Sequence, residues 1–367
     1  MSQLQTPLCN ILGTRLPIIQ APMAGGITTP ALVAAASNAG ALGSFGFAYT
    51  QPEAMARDIE AVRALTSGPV NANFFVNAQP AVIDPSAQKD AINAVSGYYQ
   101  SLGLPAPQPV RGPYAPDLNA QLAMMEDLMD DMRPQVLTFH LGDLPAAHLT
   151  KLKSLGINTG GSATCVAEAQ HLEALGVDFI IAQGGEAGGH RGSYLRNPYE
   201  AMTGTFALTR LIVRAVKIPV VAAGGIMDGA GIAAVLALGA QAAQLGTAFI
   251  PCTESGAPQV HKAHILAAHE DTTSITEKFS GKPARGLANR YMREMNESNA
   301  PQLAFPAQNM LTGPLRAASA KAGNPDFVSM WAGQAAPLAR ELSVADLIAQ
   351  LEQETLEAIA RLSDLQR

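Results

Sequence analysis

Cysteine is scarce in this sequence: three residues, Cys9, Cys165 and Cys252, far apart and odd in number. That speaks against a disulfide framework or a paired CxxC site and fits a reducing compartment. Charge is sparse too, at 15% of residues, against about 25% in an ordinary soluble domain. No block of Lys and Arg occurs and the formal net charge is −6, so a nucleic-acid partner is disfavoured. No stretch reaches the roughly 18 apolar residues of a spanning helix. The N-terminus, MSQLQTPLCN, has no basic start ahead of an apolar run. No membrane attachment and no secretory signal are therefore expected, and a cytoplasmic location is. Aromatic residues make up 5% of the chain, whereas 48% is hydrophobic and 33 residues are glycine. A chain of 367 residues this rich in small apolar side chains can bury a large core and is not disordered.

Short β-branched runs alternate with alanine-rich helical stretches, the pattern of a parallel sheet with crossover helices. The expected strands are Leu16–Met23, Ala41–Phe47, Val70–Val76, Val136–Leu141, one within Gly156–Thr164, Asp178–Gln183, Pro219–Ala223 and Ala242–Leu245, the last running on to Ile250. Helices are expected over Thr29–Ala39, Glu53–Leu65, His148–Leu155, Val166–Leu175 and from Ala230 to Gly239. Eight β/α units predict an α/β fold, a (β/α)8 TIM barrel. Between the third and fourth strands the rhythm lapses. Two helices are expected there, near Ala87–Leu102 and Leu118–Met132, with Met125, Met129 and Met132 on one packed face of the second. Residues 1–76 and 134–255 are thus expected to form the barrel, 77–133 an insertion, and 256–367 a helical segment covering one barrel end and the substrate site.

Active sites of such barrels lie at the C-terminal ends of the strands. The sixth strand ends in QGGEAGGHRG (183–192), where five glycines in ten residues suit a loop pressed against a flat ligand. Glu186 and His190 are its titratable groups, with Arg191 beside them. A histidine here can take a proton or stay charged beside an anion, so His190 and Arg191 are the groups expected to draw an anion in. The seventh strand ends in Gly224-Gly225 ahead of a helix, and the eighth carries Gln244-Leu245-Gly246-Thr247. Glycine turns beside a helix N-terminus make a phosphate pocket, although as tight turns alone they need no ligand. Met23 and Asn73, at the ends of the first and third strands, are placed to border an aromatic heterocycle. His140, closing the fourth strand, is a second candidate at the mouth and equally suits a hydrogen-bonded core histidine. His261, His264 and His269 share no helical face and no Cys or Asp completes them, so no metal is expected. Trp331 reads as an anchor for the tail.

These residues resemble a known family. QAPMAG (20–25), NFF (73–75), IIAQGGEAGGHRG (180–192), PVVAAGGI (219–226) and QLGTAFI (244–250) are similar to the flavin-dependent nitronate monooxygenases, formerly 2-nitropropane dioxygenases. The likeness extends to TFHLG (138–142), KPARGL (282–287), LTGPLRAASAKAG (311–323) and SMWAGQ (329–334), and so spans nearly the whole chain. The EAGGH core alone is shared with NAD(P)H-dependent flavin reductases of quinone and enoyl-thioester type.

The resemblance implies FMN at the strand C-termini, with Asn73, Gln183 and Gly188 against the flavin and Gly225 and Gln244 to Thr247 on its phosphate. It implies His190 as the catalytic base and oxidation of an alkyl nitronate, propionate 3-nitronate above all, by O2 to a carbonyl compound and nitrite. His140 would help to place the nitro group. Gly185 stands where the family often has a side chain, which would loosen the loop. Three other readings stay open at this point: an NAD(P)H-dependent FMN oxidoreductase, a flavin-free lyase or isomerase using the seventh and eighth turns for a phosphorylated substrate, and a non-catalytic flavin carrier.

Overall fold

The computed structural model describes residues 4–76 and 83–365. Its framework is a parallel sheet of eight strands, β1 (Ile18–Gln20), β2 (Gly43–Gly46), β3 (Val70–Phe75), β4 (Val136–His140), β5 (Asn158–Ala163), β6 (Phe179–Gln183), β7 (Val220–Ala223) and β8 (Ala242–Leu245). Each strand pairs with the next in parallel, β1 pairs with β8, and a parallel bridge between Ile19 and Leu42 brings β1 beside β2. The α/β TIM barrel is therefore present. Its strands are buried on both faces, which is why β6 and β7 read as near-continuous apolar runs rather than alternating ones.

Local chemistry sets where the crossover helices begin. Pro30 and Pro52 occupy the first turns of helices Pro30–Asn38 and Pro52–Arg63, where a missing N–H costs nothing. The Thr29 hydroxyl caps the first of these by accepting from the Leu32 N–H at 3.1 Å. At the N-terminal end of the barrel, helix Pro7–Leu12 acts as a plug. Leu8 and Leu12 pack in one cluster with Ile19, Val136, Phe179 and Val221, and the Thr6 hydroxyl donates to the Gln241 carbonyl at 2.6 Å. That end is closed, and a ligand is left the opposite one.

Three expectations change. The apolar run of β8 does not continue to Ile250: past Gly246 the chain winds into a 3-10 turn, Thr247–Phe249, with the Phe249 N–H on the Gly246 carbonyl at 2.9 Å. Its neighbour β1 has already ended at Gln20, so no strand remains there to pair with. Helix Leu118–Glu126 stops six residues early, and Met129 is 70% exposed while Met125 is buried. Glu126, Asp127, Asp130 and Asp131 crowd the helix end whose dipole is negative, so the methionines never form one face. The tail is also not purely helical. Thr273–Thr276 and Ala284–Leu287 pair antiparallel, and Gly189–His190 adds a third strand to them.

The first six residues of the expected insertion, 77–82, lie outside the described residues. Its helix Pro85–Ser101 shares a hydrophobic cluster with the tail: Ala91, Val95 and Tyr99 pack with Tyr291, Met295, Leu311 and Leu315. The C-terminal helix Val344–Asp364 straps the outside of the barrel against helices Pro30–Asn38 and Gly229–Ala237. The plug yields a direct test: Leu8→Ala deletes a fully buried side chain and is expected to cost about 2–5 kcal/mol in urea unfolding. A loss under about 1 kcal/mol would show that the barrel end does not depend on it.

Candidate active site

At the C-terminal ends of the strands the chain encloses one broad pocket. It is lined by residues of β3 to β8, by the segments that follow β1 and β2, and by Trp331, Gly333 and Ala335 of the tail. Of the residues expected to act on substrate or to hold the flavin and its phosphate, Met23, Asn73, His140, Gln183, Gly188, His190, Gly224, Gly225, Gln244, Gly246 and Thr247 border it. Leu245 does not. The side chain following Gln244 on β8 points the other way, and it is fully buried in the core beside Ala222 and Phe249.

The loop after β6 is held by its own strand. The Gln183 amide donates to the His190 carbonyl at 2.9 Å and accepts from the Gly192 N–H at 2.8 Å, so both its polar atoms are spent on the loop. His140, at the end of β4, brings its Nε2 within 3.1 Å of the same His190 carbonyl. A carbonyl only accepts, so that nitrogen carries the proton of His140. Leu141 directly follows with φ +72°, a backbone region that costs a non-glycine residue about 1–2 kcal/mol.

Two charged residues of the loop have turned away from the pocket. Arg191 is buried and donates to the carbonyls of Gln183, Gly184 and Ala201. Glu186 accepts from the Thr205 N–H at 2.7 Å and the Thr205 hydroxyl at 2.9 Å, capping helix Thr205–Ala215. Neither borders the pocket, so Arg191 is not the group that draws in an anion. Gly185 does not loosen the loop either: a Cβ there would come within 2.7 Å of the Met202 carbonyl oxygen, and its N–H is tied to the Thr203 carbonyl at 2.9 Å.

His190 is enclosed by aromatic rings. Phe75 and Phe305 meet it edge-on at 5.6 and 5.4 Å between centroids, and Trp331 lies at 5.7 Å. The expected tail anchor is thus also a wall of the site. Burial, reinforced by His140, Lys282 and Arg316, lowers the His190 pKa to about 3. Burial lowers that of His140 to about 4. Both imidazoles are neutral at neutral pH, so of the two states expected for His190 its burial and the nearby cations favour the proton-accepting one. The positive charges come instead from Lys282 and Arg316.

The opposite end of the pocket suits a phosphate. Gly224 and Gly225 have φ +119° and +69°, conformations open to glycine, and they precede helix Gly229–Ala237. Since Glu186 already occupies the N-terminus of helix Thr205–Ala215, the free amides for an anion are those of the β7 and β8 turns. The Gln244 side-chain oxygen is buried there with no hydrogen-bond partner and, as an acceptor, calls for a donor on a bound group rather than for a phosphate oxygen. Ala21, just past β1, and Ala223 of β7 add small side chains to the lining. The residues fit a flat heterocycle carrying a phosphate.

Sequence reasoning missed Tyr49, Ser280 and Glu168. Tyr49 lines the pocket. Ser280 reaches His190 from the tail at 2.9 Å. Glu168, fully buried in the helix after β5, accepts from the N–H groups of Thr164, Tyr194 and Leu195 and so fixes the chain just beyond His190. No spacing marks any of the three, because each acts across the fold.

The family model for nitronate monooxygenase matches residues 5–354. A nitronate monooxygenase of Paraburkholderia phytofirmans is 42% identical over 357 residues, which covers 97% of this chain and 96% of that protein. One of Pseudomonas aeruginosa is 39% identical over 351 residues, 94% and 97% of the two chains. Among solved structures, a nitroalkane oxidase from Streptomyces ansochromogenes superposes with a TM-score of 0.89 at 39% identity, covering 97% of this chain and all of that one. FabK from Thermotoga maritima superposes at 0.77 with 29% identity over 99% of this chain and 100% of that one.

The histidine chemistry has a consequence for stability. His140, His190 and His261 all have folded pKa values depressed to about 4 or below, from 6.5. Their contribution is complete above pH 6.5 and is lost as pH falls from there toward about 4. Each should cost roughly 1.4 kcal/mol per pH unit in that window. Unfolding free energies measured from pH 7.5 to 4.5 check the slope, and an NMR titration of His190 with a midpoint near 6.5 would contradict it.

Proposed function

The chain belongs to the nitronate monooxygenase family, and from that we propose that it oxidises alkyl nitronates with O2 to carbonyl compounds and nitrite, using FMN. Residues 1–76 and 134–255 would hold the FMN, with 77–133 and 256–367 closing over the substrate. The flavin would lie between Met23, Asn73, Gln183 and Gly188. Its phosphate would rest on Gly224, Gly225, Gln244, Gly246 and Thr247, and the backbone amides of these turns would carry the charge. When bound, FMN would supply the redox chemistry linking the nitronate to O2, and the protein supplies position and electrostatics.

One observation carries the reading. A neutral histidine stands at the pocket between aromatic walls, and the charged groups acting on it are the cations Lys282 and Arg316. Such a field favours an anion, so it suits a nitronate and favours forming one from a neutral nitroalkane. For a nitroalkane the α-proton passes to the His190 imidazole while the electron pair of the C–H bond becomes the C=N bond of the nitronate. The cations that disfavour an imidazolium are then met by the new anion. His140, whose Nε2–H is spent on the His190 carbonyl, positions that loop rather than reacting. Propionate 3-nitronate is the substrate this reading favours, with a cytoplasmic enzyme as its setting.

The likeness to FabK keeps an NAD(P)H-dependent FMN oxidoreductase as the second reading. Purified protein given propionate 3-nitronate in air should consume oxygen and release nitrite at the same rate with or without NADH. Rapid anaerobic bleaching of the flavin by NADH would reverse that conclusion. His190→Asn should lower kcat/KM for a neutral nitroalkane by about 100-fold or more, while nitronate turnover stays within roughly tenfold. Equal losses on both would remove the base role.

A further inference from the structure

We propose that Ser280, a residue of the tail, is a positioning residue for His190: it fixes the imidazole as the Nε2–H tautomer and so makes Nδ1 the atom that takes the substrate proton. The inference rests on the base role given to His190 above and adds to it which nitrogen acts and what chooses it.

The hydrogen bonds around Ser280 leave its hydroxyl one arrangement that satisfies every neighbour. A serine hydroxyl has one proton to give and two lone pairs to offer. The Lys282 carbonyl, an acceptor only, lies 3.1 Å from Ser280 Oγ and takes the proton. The Lys282 N–H, a donor only, lies at 3.4 Å and uses one lone pair. His190 Nε2, at 2.9 Å, faces the lone pair that remains. It must therefore carry the proton of the neutral ring. Nδ1 is left with a free lone pair, and among the described residues it has no partner within the chain.

The geometry is held from both sides. His190 belongs to the strand Gly189–His190 and pairs with Ala284 in the small antiparallel sheet, while Ser280 sits in the turn joining the other two strands of that sheet. The turn is closed by the Ser280 and Gly281 N–H groups on the Glu277 carbonyl. The Thr312 hydroxyl fixes Phe279 by donating to its carbonyl at 2.5 Å. Ser280 itself is buried. A fixed tautomer matters here because the wrong one would present an N–H to the substrate in place of a lone pair. Once Nδ1 has taken the α-proton, the ring carries both protons and Nε2–H still donates to Ser280. The serine thus holds one ring orientation before and after transfer.

The test uses the FMN-loaded enzyme with 15N-labelled histidine and long-range proton–nitrogen correlation at pH 7.5. The His190 signals are assigned by their loss in His190→Asn. Wild type and Ser280→Thr, which keeps the hydroxyl, should show His190 protonated on Nε2. Ser280→Ala should show a mixture of tautomers or the Nδ1–H form. In the same preparations kcat/KM for a neutral nitroalkane should fall about 10- to 100-fold in Ser280→Ala, by analogy with the loss of an outer partner that orients a histidine. It should stay within about threefold in Ser280→Thr, with nitronate turnover little changed in both. The proposal is overturned by an Nδ1–H wild type, by an unchanged tautomer in Ser280→Ala, or by a changed tautomer without loss on nitroalkane. Wild-type protein inactive on nitronate would instead defeat the function proposed above, and the tautomer result would still decide the role of Ser280.

Discussion

The carbonyl oxygen of His190 accepts two side-chain hydrogen bonds, from Gln183 at the end of β6 and from His140 at the end of β4. Everything at the working end of the barrel depends on that pair. The loop between Gln183 and His190 is rich in glycine and would not choose one conformation by itself. Two barrel strands on one carbonyl give it one. With the backbone fixed, the imidazole of His190 is delivered among Phe75, Phe305 and Trp331, and the tail can then reach its Nε2. Each clamp is a neutral group in a dry site, where an amide or imidazole N–H on a carbonyl is worth most and a missing one is most costly.

Dryness also settles the electrostatics. An imidazole in bulk water is half protonated near pH 6.5, but burial alone drives the rings of His140 and His190 well below that. Lys282 and Arg316 push His190 further, so the site is cationic without a charged histidine. The loop's own arginine and glutamate are consumed in folding it: Arg191 braces three carbonyls and Glu186 caps a helix. The charges nearest in sequence are structural, and the charges that act on His190 come from Lys282 and Arg316, far downstream in the tail.

That division explains how much was legible in the sequence. The barrel was, because β/α alternation is a local signal repeated eight times, and so was the ring of strand ends, where glycine turns stand out against helix and strand. The resemblance rests on those same turns. Strand ends were over-extended because an apolar run such as that beyond Leu245 continues past the point where a partner strand stops, and pairing is not a local property. The third methionine-bearing turn of helix Leu118–Glu126 failed for a different reason: apolar spacing favoured it and a cluster of acids at the helix end opposed it. Leu245 was carried in with its neighbours although alternation along a strand alone sends it to the core. Ser280, Glu168 and Tyr49 had no signature, since a serine in a turn and a glutamate in a helix are ordinary until the fold brings them to His190 or its loop.

Barrel and tail therefore contribute different things to one site. The strand ends supply glycine turns, free amides and the two clamps, all of which would serve any phosphate-bearing flat cofactor. The tail supplies the wall at Trp331, the cations Lys282 and Arg316 and the hydroxyl on His190. Its segment around Gly333 is stitched back onto the barrel by the Gly333 N–H on the Thr247 hydroxyl at 3.0 Å and the Gln334 N–H on the Glu186 carbonyl at 2.9 Å. These ties run to the β8 turn and the β6 loop, the parts proposed to hold the phosphate and the reacting histidine. Backbone contacts thus join the turn proposed for the phosphate to the loop that carries His190, so barrel and tail are held to one another at the site itself.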